Sequence, residues 1–207
     1  SEFKQLDGTP GEVLAQLGRS MLFAHEGDHC RELMRLGAAW RVSKGTSALP
    51  FVLAQLWSRA AENLQRGNLQ VAVQFLKDVL RCEPPGAHRR GQALSHLCLT
   101  LVRLDNPAEA LQVLTSLQGE PGASSESLAR GLGALIRYHC CRAEWGEALA
   151  LCERFASGLH DADFWPRLLE IEALRGDLAA LSAVLARARG SLAPESHWVL
   201  NPWEASL

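Results

Sequence analysis

The sequence predicts an all-α fold of stacked antiparallel helical hairpins, and three observations predict it. Leu and Ala abound while β-branched runs are scarce, which argues against strands. Apolar residues recur at three- and four-residue spacing between short clusters of Gly, Asn, Asp and Pro, the pattern of amphipathic helices divided by turns. The third observation is a repeat. "ENLQRGNLQVAVQFLKDVLRCEPPG" at 62–86, "LTLVRLDNPAEALQVLTSLQGEPG" at 99–122 and "HCCRAEWGEALALCERFASG" at 139–158 each read as helix, polar turn, helix.

The small residues Ala72, Ala110 and Ala148 hold the same place in these segments and follow one another at 38 residues. A fourth segment, "ALRGDLAALSAVLARARGSLAP", sets Gly176-Asp177-Leu178 over Gly67-Asn68-Leu69 and puts Leu181 where Ala72 stands. A period of this length with two helices per unit marks stacked helical hairpins. The small residue lets the second helix nest closely against the first. Leu76 and Val79, or Leu114 and Leu117, then continue the buried stripe.

The elements follow in order. "GEVLAQLGRSMLFAH" and "DHCRELMRLGAAWRV" read as a first hairpin, and "SKGTSALP" is the loop before a helix that begins near Pro50. Pro84-Pro85 and Pro121 stop second helices, with Gly86 and Gly122 after them. Hairpins are thus expected at about 11–44, 50–83, 90–119, 126–158 and 162–190. They form one repeat domain at 11–194, between a flexible N-terminus at 1–10 and a C-terminal tail or cap at 195–207.

These residues resemble tetratricopeptide repeats. The match is clearest at 53–85, where Gly67, Ala72 and Pro84 have the spacing of the family's turn glycine, second-helix alanine and closing proline. It weakens through 91–124 and 129–160 and is faintest at 162–194, and the family's early Trp and Tyr are missing throughout. The resemblance implies a right-handed α-solenoid. It also implies a non-enzymatic scaffold or adaptor that binds a partner peptide or helix along a concave face lined by first helices. Trp57, Ser58, His96, Arg103, Arg130, Arg137 and Arg167 are the positions expected there. Successive arginines favour an acidic or carboxylate-bearing ligand, because guanidinium grips carboxylate bidentately; the plain alternative is ordinary solvated helix positions. The lysine and asparagine of chaperone-tail-binding members are absent, with Trp57 and Ala61 in their places. A chaperone that shields a client segment is the alternative within the family, and it requires an apolar groove.

The tail "ESHWVLNPWEASL" carries Trp198 and Trp203. Exposed indoles are costly, so these are expected to cap the last hairpin. The second reading is a partner-binding element, or a contact for self-association with another copy of the chain.

One motif points elsewhere. "FAHEGDHCREL" contains His25-Glu26-Gly27-Asp28-His29, an H-E-x-x-H match to zinc metallopeptidases. Such a site needs both histidines one turn apart on an unbroken helix and a third ligand. Gly and Asp disfavour a helix interior, and aligning Gly27-Asp28 with Gly67-Asn68 and Gly176-Asp177 makes all three pairs turns whose Asn or Asp caps the next helix. The longer metzincin pattern also fails at Glu32 and Arg35. The peptidase is therefore the remote alternative, and no catalytic residue, metal or cofactor is expected.

His139-Cys140-Cys141 with Cys152 is a poor zinc set, because adjacent helical residues diverge by about 100°. Six cysteines set in apolar helical patterns suit a reducing cytoplasm or nucleus. His88-Arg89-Arg90 reads as a solvated turn. The net charge of −2 gives no pull toward nucleic acid or anionic membrane. No apolar run reaches membrane-spanning length, and "SEFKQLDGTPGE" lacks the basic and apolar regions of a secretory signal.

Overall fold

The computed structural model describes residues 9–43 and 46–205. The first eight residues of the expected flexible N-terminus, Lys44 at the close of the first expected hairpin, and Ser206-Leu207 of the tail lie outside them. The helices are α1 (Pro10–His25), α2 (His29–Ser43), α3 (Leu49–Arg66), α4 (Leu69–Cys82), α5 (His88–Arg103), α6 (Pro107–Gln118), α7 (Ser125–Cys141), α8 (Trp145–Phe155), α9 (Asp161–Arg175) and α10 (Leu178–Ser191). A 3-10 segment (Pro194–Leu200) and the short α11 (Asn201–Glu204) follow. No strand occurs among the described residues. Each odd-numbered helix through α9 packs on the even-numbered helix after it. The fold is all-α, made of consecutive helical hairpins.

The hairpin turns have a common cause. Gly27, Gly67 and Gly176 take left-handed backbone angles, with φ of 75°, 78° and 77°. Glycine reaches that region without the Cβ clash that other residues meet. The third and fourth hairpins turn at the equivalent place on Asp105 and Ala143, both with φ of 58°. The following residue starts the second helix, and side chains supply the cap where they can. Arg31 N donates to Asp28 Oδ1 at 3.0 Å, and Ala180 N donates to Asp177 Oδ1 at 2.9 Å. Asn68 corrects the expectation: it makes no cap bond, because its amide donates instead to Asn63 Oδ1 at 3.2 Å.

The chain divides into two compact units, Ser1–Pro84 and Pro85–Leu207. In the first, Val13, Leu36, Ala39, Val52, Leu56, Phe75 and Leu76 make the core. Ala72 is fully buried at the close crossing of α3 and α4. Glu32 of α2, 1% exposed, meets Arg59 Nε of α3 at 2.8 Å. This pair neutralises the buried carboxylate rather than leaving it stranded, and Glu62, which also bridges to Arg59, has Arg66 as a second partner.

In the second unit α5 packs on α7 and α7 on α9. Ala110 and Ala148 are fully buried and Leu181 nearly so. Helices approach closely at Gly131, where a Cβ would meet Leu114 Cδ1 at 2.9 Å. The loops that open the third and fourth hairpins touch backbone to backbone, since a Cβ on Gly122 would overlap the Gly86 carbonyl. His88-Arg89-Arg90 is the first turn of α5 rather than a loop. Cations oppose the dipole at a helix N-terminus. Glu120 answers them, its carboxylate accepting from Arg90 Nε at 2.9 Å and from Gly86 N. Both bonds hold the Glu120 carboxyl below its ordinary pKa, the Gly86 bond most.

The tail folds onto α9 and α10. Leu200 is fully buried there, Trp203 packs beside it, and Glu204 pairs with Arg189 at 2.7 Å. Trp198, by contrast, stays 70% exposed.

Candidate functional site

Three first helices of the second unit, α5, α7 and α9, stand side by side, and each leaves one stripe open. On α5 the stripe is Gln92, His96, Leu99 and Arg103, spaced by four, three and four residues, while most of the remaining helix is buried. On α7 it is Glu126, Arg130, Arg137 and Cys141, with buried Gly133 and Ala134 in the middle. On α9 it is Asp163, Arg167, Glu170 and Leu174. His96, Arg103, Arg130, Arg137 and Arg167 therefore share one face. Trp57, half-buried, and Ser58, exposed, lie on α3 of the other unit. Trp198 and Trp203 belong to the tail.

The arginines on this face are not equivalent. Arg130 Nη2 donates to Glu126 at 2.7 Å. Arg137 Nη1 reaches Glu170 Oε1 at 2.9 Å, and Arg167 Nη1 reaches Glu170 Oε2 at 2.7 Å. Glu170 thus joins α7 to α9 through two guanidinium groups. The absent side chain of Gly133 makes room for one of them, since a Cβ there would meet Arg167 Nη1 at 2.6 Å. His96 is held below its ordinary pKa, first by burial and second by the charge of Arg130.

Between α5 and α7 the face opens into a hollow. Leu99, Val102 and Ala134 supply apolar walls, and Arg103, Arg137 and Arg142 surround them with Tyr138. Tyr138 Oη and Arg142 Nη2 both donate to Asp105 Oδ1 at 2.7 Å, and the Arg142 guanidinium lies over the Tyr138 ring, 4.5 Å from its centroid. The Tyr138 bond, and then the Arg142 charge, hold the Asp105 carboxyl below its usual range; the same bond raises the Tyr138 phenol. Arg103 has no hydrogen bond or ion pair among the described residues. Arg137 and Arg142, the other guanidinium groups on the hollow, are both paired with carboxylates.

Sequence reasoning missed Tyr138, Arg142 and Asp105. The available signal was positional: Asp105 and Ala143 occupy the place of the turn glycine, and Arg142 precedes the second of them. A charged side chain at a hairpin turn lies at the rim of whatever the first helices enclose.

The first unit has its own recess between α2 and α4. Leu33, Met34, Trp40 and Leu56 line it with Arg41, Asp78 and Arg81. The "HEGDH" segment lies elsewhere and is a turn. α1 ends at His25, Gly27 turns the chain, and α2 begins at His29, so the two histidines sit on different helices. Among the described residues no group of three metal-ligating side chains comes together. All six cysteines are free, with Cys140 buried and its neighbour Cys141 exposed. No helix among the described residues is long and apolar enough to cross a membrane.

Comparison with protein-family models finds no match, and no curated protein matches. Among solved structures the chain is similar to a tetratricopeptide repeat protein from Parabacteroides merdae, at 14% identity and a TM-score of 0.30, covering 94% of this chain and 99% of that one. The fold assignment rests on the hairpins, turns and buried small residues of this chain itself.

Proposed function

We propose that the protein is a non-enzymatic interaction scaffold, and that the face of α5, α7 and α9 takes an acidic segment of a protein partner. The observation that carries this reading is Arg103, an unpaired guanidinium beside the apolar walls of Leu99, Val102 and Ala134. A partner side chain can bury apolar surface in the hollow while a neighbouring carboxylate meets Arg103. The site is a reducing compartment of the cell, cytoplasm or nucleus, a reading the six free thiols support.

The test is capture of partners from cell extract by the wild-type chain and by Arg103→Glu and Arg137→Glu. Both variants should keep the wild-type melting midpoint within a few degrees and lose the same partner. A partner held equally by all three proteins would place binding elsewhere.

A second reading is a chaperone that shields an apolar client segment. The recess between α2 and α4 supports it, with Met34 exposed beside Leu33 and Trp40. Met34→Lys, with the α5–α7 face intact, separates the two readings by which variant loses the partner.

A further inference from the structure

Helix α1 carries an exposed apolar face that none of the described residues of its own unit covers. Leu14 is 62% exposed, Met21 53% and Leu22 64%, although Val13, Leu17 and Ser20 on the adjoining face are buried. At about 100° per residue, the exposed Gly11, Leu14, Ala15, Gly18, Met21 and Leu22 share a strip about 120° wide. No Asp, Glu, Lys or Arg falls within it; His25 closes the strip at its C-terminal end, and Arg19 stands on its flank.

Gly18 is the informative residue. It sits in the middle of α1, where glycine weakens a helix relative to alanine. Nothing among the described residues explains it, because a Cβ at Gly18 would meet no atom within 4 Å. A mid-helix glycine on an open apolar strip suits a second backbone passing close above it.

The pattern around Gly18 also fits its own copy. In an antiparallel crossing centred on Gly18, Leu14 of one chain faces Leu22 of the other, and Met21 faces Ala15. Large thus meets large at the flanks, large meets small nearer the centre, and glycine meets glycine at the crossing. This is the self-complementarity that a two-fold interface requires. A strip without Asp, Glu, Lys or Arg does not repel its equal, His25 of one copy falling opposite Gly11 of the other, and antiparallel helix dipoles attract. Two such faces would cover on the order of 1,000 Å², near the lower limit for specific association, which fits a reversible dimer.

We propose that α1 is a self-association surface, pairing antiparallel with α1 of a second copy through Leu14, Gly18 and Leu22. Its residues belong to the first unit, whereas the face of α5, α7 and α9 and the C-terminal tail belong to the second.

Sedimentation velocity of the full chain over a concentration series reads it directly. The wild type should move from monomer to dimer as concentration rises. Leu14→Glu and Leu22→Lys should each stay monomeric with unchanged helical content, since both positions are exposed. Mixed in equal amounts, the two variants should form a heterodimer, because Glu at 14 then faces Lys at 22 across one half of the crossing. The trans rescue is a result that local misfolding cannot produce. A monomeric wild type overturns the proposal. So does a dimer that survives both substitutions and is lost only in Trp198→Glu, which would assign self-association to the tail.

Discussion

Arg137 on α7 donates to Glu170 on α9 across 2.9 Å, and so an arginine of the exposed face is already engaged by a carboxylate of the same face. Removing that carboxylate charge releases both Arg137 and Arg167. Glu170→Gln should therefore tighten binding of an acidic partner at low salt, with the gain fading as ionic strength rises. Because Arg137 is half exposed, the pair contributes about 1 kcal/mol or less to stability. Calorimetric titration of the captured partner against both proteins checks this; weaker binding by Glu170→Gln would mean that the partner reads the carboxylate.

His96 gives the face a pH dependence. Its folded pKa lies below the ordinary value of 6.5, chiefly through burial. The unfolded chain therefore takes up the proton first as pH falls. Stability from this group is fully present above about pH 6.5 and declines on acidification toward the lowered folded value. The melting midpoint should fall between pH 7.5 and 5.5, and less so in His96→Gln. In an NMR titration, Arg130→Gln should raise the His96 midpoint only part of the way, since burial remains.

Ala143 occupies a left-handed turn position that costs an L-residue about 1–2 kcal/mol. Glycine removes that strain but adds entropy to the unfolded chain. Ala143→Gly should still stabilise the protein, by about 0.5–1 kcal/mol in a urea titration. Asp105→Gly relieves the same strain but deletes the acceptor for Tyr138 and Arg142, so it should gain less.

The buried alanines set the hairpin register. Ala110 is fully buried, and a tryptophan there overpacks α5, α6 and their neighbours. Ala110→Trp should cost about 1–3 kcal/mol or more. An unchanged denaturation midpoint would refute the assigned packing.

Thiol chemistry should separate the cysteines by location. Burial pushes the Cys98 and Cys152 thiols up to about 12, so both are protonated and shielded at neutral pH. Exposed Cys30 and Cys141 should react first with a thiol reagent in native buffer, while Cys98 and Cys152 should react only on unfolding. Mass spectrometry of the labelled peptides assigns them; rapid native labelling of Cys98 would contradict its full burial, with Sγ 3.6 Å from the Gly131 carbonyl oxygen.

Much of the fold was legible because its signals are local. Gly67 and Gly176 turn hairpins for a reason written in their own backbone, and Ala72, Ala110 and Ala148 announce close helix approach by size alone. The same locality explains two of the misreadings. Asn68 has the chemistry of a cap, yet it is drawn to Asn63 one turn back across the hairpin turn. His88-Arg89-Arg90 follows two prolines and looks like a loop, yet Glu120 lies thirty residues from Arg90 and secures the helix start. The candidate face was legible as a set of positions but not as a set of charges. Arg130 and Glu126 are one helical turn apart and could have been paired from the sequence. Arg137 and Glu170 are separated by a whole hairpin, and only the packing of α7 on α9 brings them together.

The contact of Gly122 with Gly86 has a consequence for how the chain tolerates changes in length. Surface loops ordinarily absorb insertions without troubling the elements they join. Here two interhairpin loops abut main chain to main chain, and Glu120 fastens one to the other. They act as a fixed spacer between α5 and α7. An added residue in either loop would be passed on to the helices, shifting the wall that bears Leu99 and Arg103 against the wall that bears Ala134 and Tyr138. The dimensions of the hollow are thus set at the opposite end of the helices from the residues that line it.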